Sequence, residues 1–141
     1  MRRGCGLGPW VLAVGALTGC VSENSPWMRT GEDCLSCHSA GGRAAGKPWS
    51  AAGTLYTDAA GSSPMQGAKV LIVDARGVSV TLTSNESGNF YTGEDLQAPF
   101  QYVAVDNNGK VTQMVTPSLP TGACNSCHSP GNTAQLRIFV P

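Results

Sequence analysis

Six cysteines and two histidines occur in this chain of 141 residues, and each histidine directly follows a Cys-x-x-Cys pair. Cys34, Cys37 and His38 stand in "CLSCHSAG", and Cys124, Cys127 and His128 stand in "CNSCHSPG". Cysteines three apart fall on one face of a helical turn, so the two thiols of a pair can act together on one partner beside the adjacent imidazole. Such atoms form disulfides, bind metals or become covalently attached to a prosthetic group. Both histidines are committed to these motifs, so no Ser/His/Asp set can be assembled. The acidic pairs Glu32-Asp33 and Glu94-Asp95 are neighbours in sequence and read as loop solubilisers rather than acid/base pairs.

The repeated C-x-S-C-H-S pattern resembles the attachment motif of c-type cytochromes. That resemblance implies two covalent haem c groups, with Cys34, Cys37, Cys124 and Cys127 as thioethers and His38 and His128 as proximal iron ligands. The spacing then has a reason: two thiols on one turn reach two edges of one porphyrin while the next residue swings under the ring. No further histidine exists for the sixth position, and methionine is the usual substitute, one that raises the potential. Met114 in "KVTQMVT" alternates onto a face with Thr112 and Thr116, an apolar thioether on a polar face. Met28, six residues before Cys34, is the second candidate, while Met65 in "SSPMQG" reads as a loop or packing residue. An open iron position would instead fit a gas sensor or a small peroxidase. No distal acid/base residue is identifiable, which favours an electron carrier over a catalyst. Trp27, Trp49 and Phe139 are candidates for covering porphyrin faces or completing the core.

Other uses of these residues remain. Disulfides within each pair, or between the pairs, would staple a small exported domain but leave His38 and His128 unexplained. Zinc tolerates C-x-x-C spacing, yet motifs 90 residues apart must converge to share one ion. Thiol–disulfide exchange of the thioredoxin kind needs a helix N-terminus in a βαβ setting, which this pattern does not offer.

The chain begins with Arg2 and Arg3, continues through a mildly apolar run from Leu7 to Leu17 and ends that run with small residues, the order of a secretory signal. The run is shorter than the ~20 apolar residues that span a bilayer. "LTGC", Leu17 to Cys20, resembles the lipobox of bacterial lipoproteins, which implies cleavage before Cys20 and lipid on its thiol. Several acyl chains would hold a soluble domain at a membrane surface where a single chain anchors weakly. Val21 stands where an inner-membrane retention Asp would sit, which favours the outer membrane.

The motifs must be positioned by what lies between them, and there the pattern is β throughout. Ala52–Tyr56, Ala68–Asp74, Val78–Thr83, Asn89–Thr92, Phe100–Asp106 and Lys110–Val115 are short runs rich in β-branched or aromatic residues. "DARG", "NESG" and "DNNG" separate several of them with residues that tolerate φ > 0. Val78, Val80 and Leu82 share one face of a half-buried strand, "KVLIVD" is apolar on both faces and therefore central, and "QLRIFV" from Gln135 to Val140 can add a last strand. The stretch from Ala52 to about Val105 resembles the carboxypeptidase regulatory-like, or transthyretin-like, sandwich in its "GTLY" opening, its "PMQGAKV" entry and its "TSNESGNF" turn. A small all-β antiparallel sandwich with little helix is expected, and fold alone assigns no function.

The expected layout is a signal peptide at 1–19, a tether at 20–33, the first CxxCH segment at 34–50, the sandwich at 51–116, and the second CxxCH segment with a final strand at 117–141. Lys plus Arg equals Asp plus Glu at 9 each, and loss of Arg2 and Arg3 leaves a net charge of −2, so no field draws in nucleic acid. The sequence therefore reads as a diheme c-type cytochrome lipoprotein that exchanges electrons with redox partner proteins at the bacterial cell envelope. The alternative is a non-redox sandwich lipoprotein, a binding or spacer module, whose Cys/His motifs are disulfide or zinc staples.

Overall fold

The computed structural model describes residues 25, 28–114, 118–132, 134 and 136–141. Two β-sheets face each other across one core, as the all-β reading requires. In the first sheet, β2 (Lys69–Val73) lies between β3 (Ser79–Thr83) and β5 (Tyr102–Asn107), with β6 (Lys110–Gln113) on the far side of β5 and all pairs antiparallel. β2 is central because both of its faces are apolar: Val70 and Ile72 are fully buried while Leu71 and Val73 are half-buried. On β3, Val80 and Leu82 turn to the core and Ser79, Thr81 and Thr83 to solvent, the expected period of two.

The second sheet is built around β1 (Ala51–Tyr56), all six residues of which are buried. It pairs antiparallel with β4 (Asn89–Thr92) and parallel with two short strands, β7 (Gly122–Ala123) and β8 (Ile138–Phe139). These parallel pairs depart from an all-hairpin plan: β7 follows β6 of the first sheet, and β8 follows β7 by way of the helical turn at Cys124–Cys127, neither through a tight turn onto β1. Leu55, Val70, Ile72, Phe90, Phe100 and Val105 form the heart of the core between the sheets. Met65 belongs there too: it lies in the loop between β1 and β2, as its sequence context suggests, and at 6% exposure it packs into the core.

Turn chemistry fixes the register. Asn108 and Gly109 both have positive φ (53° and 85°), which a two-residue hairpin between β5 and β6 demands. At the β2–β3 turn the buried Asp74 carboxylate accepts from the backbone N–H groups of Arg76, Val78 and Gln97 and from Arg76 Nε at 3.0 Å. Burial alone would raise its pKa, but these donors outweigh burial and hold the carboxyl at about 2.

Candidate functional site

The two cysteine motifs adopt the same local structure. Cys34–Ser36 forms a 3-10 turn, and α1 (Cys124–Cys127) is a single helical turn. His38 N–H donates to the Cys34 carbonyl at 2.9 Å, and His128 N–H to the Cys124 carbonyl at 3.0 Å. The motif serines repeat this: Ser36 Oγ donates to the Asp33 carbonyl and Ser126 Oγ to the Ala123 carbonyl, each at 2.6 Å. The chain then curls back alike, with Ala44 N–H on the Cys37 carbonyl and Ala134 N–H on the Cys127 carbonyl.

Each imidazole is oriented by a backbone carbonyl. His38 Nδ1 lies 2.8 Å from the Lys47 carbonyl and His128 Nδ1 3.2 Å from the Leu136 carbonyl. A carbonyl only accepts, so each Nδ1 carries a proton, and in the neutral ring the lone pair lies on Nε2. A backbone carbonyl holding Nδ1–H fixes the ring's orientation and tautomer, the arrangement that prepares Nε2 to bind a metal. Burial lowers the His128 pKa below its usual value, with the Leu136 carbonyl pulling the other way, so the ring favours its neutral form.

Opposite His128 Nε2, at 3.4 Å, stands the sulfur of Met114. Two electron-pair donors thus converge on one point, a donor set suited to a soft or borderline metal. His128 Nε2 and the Met114 sulfur would hold such a metal, and the three flexible torsions of methionine let the sulfur adjust to it. Beside this pair lies a cavity of about 310 Å³ in a strongly apolar setting, within the range of small-molecule sites. Val103 and Val105 of β5 wall one side and Ile138 and Phe139 of β8 another, while Cys124, Cys127, His128 and Met114 complete the lining. A thiol pair, an oriented imidazole and a thioether thus line one apolar recess.

The first motif is furnished differently. His38 is 6% exposed and stacks on Trp49 with ring centroids 3.5 Å apart and planes 5° from parallel. Trp49 in turn stacks on Tyr91 of β4 at 4.2 Å. Trp49 therefore packs against the candidate ligand itself. Met28 is half-buried and places its carbonyl 3.2 Å from Asn89 Nδ2.

Although 90 residues separate them, the motifs converge. Asn125 Nδ2 donates to the Glu32 carbonyl at 2.9 Å, and the Cys34 thiol reaches the same oxygen at 3.6 Å. Burial pushes the Cys124 thiol up to about 12, and the neighbouring Cys34 adds to this. Burial likewise raises Cys34 to about 11, helped by Asp33 and Glu32. All four cysteines are free, and among the described residues no group of three or more His, Cys, Asp or Glu side chains is gathered around a metal position. The raised thiols are the reverse of the low-pKa cysteines that drive thiol–disulfide exchange.

Of the residues singled out in the sequence, Cys124, Cys127, His128, Met114 and Phe139 come together at one cavity, whereas Cys34, Cys37, His38 and Trp49 form the second cluster. Cys20 and Trp27 lie outside the described residues, as does the signal segment. Sequence reading missed Asn125, which occupies a variable position of its motif, and the Lys47 and Leu136 carbonyls, whose identity leaves no side-chain signal. No protein-family model, curated protein or solved structure matches this chain.

Proposed function

We propose that the protein is a diheme c-type cytochrome that carries electrons at the bacterial cell envelope, tethered through lipid on Cys20. The observation that carries this reading is the matched presentation of His38 and His128. Each follows two thiols on one turn and each has Nδ1 fixed on a backbone carbonyl, with Met114 facing Nε2 of the second. Haem c, when bound, supplies a one-electron ferric/ferrous couple. Cys34, Cys37, Cys124 and Cys127 would hold the two groups, His38 and His128 would be the proximal ligands and Met114 the sixth ligand at the second motif. β5 and β8 line the recess there with apolar side chains, and a thioether ligand would hold the potential high. Met28 is the candidate from the segment preceding the first motif. Redox partner proteins would deliver and remove the electrons, and no acid/base machinery is assigned.

A second reading keeps the chain as a non-redox envelope module whose cysteines serve as staples, and the convergence of Cys34 and Cys124 favours it to that extent. Pyridine haemochrome analysis of the mature chain, co-produced with a cytochrome c maturation apparatus, separates the two. Two c-type haems per chain are expected, whereas no haemochrome together with intrachain disulfides would establish the staple instead.

A further inference from the structure

The segment that leads into the first motif, residues 28–33, takes part in no sheet pairing. It is held by side chains from elsewhere in the fold. Met28 carbonyl accepts from Asn89 Nδ2, Gly31 N–H donates to Thr54 Oγ1 at 3.0 Å, and the Gly31 carbonyl accepts from Arg137 Nη1 at 3.0 Å. Glu32 carbonyl accepts from Asn125 Nδ2 at 2.9 Å. Asn125 is 3% exposed and uses both ends of its amide, since Oδ1 accepts from Thr54 N–H and Nδ2 also reaches Thr54 Oγ1, each at 3.1 Å. It sits inside the second motif, between Cys124 and Cys127, yet shares the Glu32 oxygen with the Cys34 thiol of the first. The other clamp, Arg137, directly follows Leu136, whose carbonyl orients His128. Two of these contacts, from Asn125 and Arg137, thus issue from the immediate surroundings of the second motif, and the other two from Asn89 and Thr54.

We propose that Asn125 is a positioning residue that locks the two cysteine motifs into one unit, so that a charge change at either is felt at the other. This rests on the cytochrome reading for its redox consequence, while the mechanical lock stands apart from it. The residue matching Asn125 in the first motif is Leu35, whose side chain cannot donate, so the first motif offers no equivalent clamp to the second. A buried amide is suited to the task because leaving Thr54 N–H and the Glu32 carbonyl unpaired is costly.

Two arms test it on the full mature chain. Hydrogen exchange of the protein as isolated should rise roughly tenfold across residues 28–38 in Asn125→Leu, the scale of one lost net hydrogen bond, with β2 and β5 unchanged. Arg137→Ala, at a half-buried position outside both motifs, should move the same residues less and serves if Asn125→Leu does not fold. Unaltered exchange at residues 28–38 in both variants overturns the lock. In the protein whose mass shows two haems, potentiometry with a chemical reductant should give uptake of the second electron weakened roughly tenfold by the first. The second-motif potential should shift when the first motif is removed by Cys34→Ala/Cys37→Ala/His38→Ala. Identical potentials in that variant and the wild type overturn the coupling. A mass without haem counts against the cytochrome reading, and the exchange arm then decides the lock by itself.

Discussion

His128 Nε2 and the Met114 sulfur lie 3.4 Å apart, and at the scale of single residues this is the contact on which the proposed ligation turns. Met114→Ala in the two-haem protein is expected to abolish the near-infrared methionine-to-ferric-iron band and to lower the potential of one centre, leaving the other in place. An unchanged band would remove Met114 as a ligand. Asp74 governs a different property. Its carboxyl sits at about 2 in the folded protein against ~3.9 when unfolded. Its contribution is therefore complete above pH ~4 and is lost as pH falls toward 2. Asp74→Asn should flatten the fall in Tm between pH 4 and 2 without removing it. Asp58, lowered by the N–H and hydroxyl of Ser62, titrates in the same direction.

At the scale of elements, β1 is the platform on which both motifs are mounted. Gly53 lies at its centre, and an added methyl there would come within 2.6 Å of the Phe90 ring and 2.9 Å of Cys124 Cβ. Gly53→Ala is thus expected to destabilise by about 1–3 kcal/mol through overpacking, and to perturb the second motif before the first. Gly46→Ala, which meets nothing within 4 Å, serves as the control and should stay within about 0.5 kcal/mol. Thermal denaturation of both variants reads the difference. The main strands were legible because β2 is a continuous apolar run and β3 alternates, and because β2–β3 and β5–β6 are joined by turn residues with fixed φ demands. β7 was not, since Gly122 and Ala123 have no strand propensity and are ordered only by pairing with Ala51 and Ala52. The same reasoning applies to the site. Cysteine and histidine spacing is chemical and can be read in one dimension, and Met114 was found from strand alternation. The stack of His38 on Trp49 and the reach of Asn125 to Glu32 arise between irregular segments with no period to betray them.

For the whole molecule, the sandwich explains why motifs at opposite ends of the sequence meet: β1, near the start, takes β7 and β8, near the end, as parallel partners. A small core of two sheets thereby carries the two cysteine motifs beside one strand rather than at two distant poles. Intact mass of the mature chain after thiol alkylation, made in cells with the cytochrome c maturation apparatus, tests the central claim most directly. The cytochrome account predicts the chain plus two haems, with Cys34, Cys37, Cys124 and Cys127 all refractory to alkylation even after reduction and unfolding. A haem-free mass with those four thiols alkylated would contradict it.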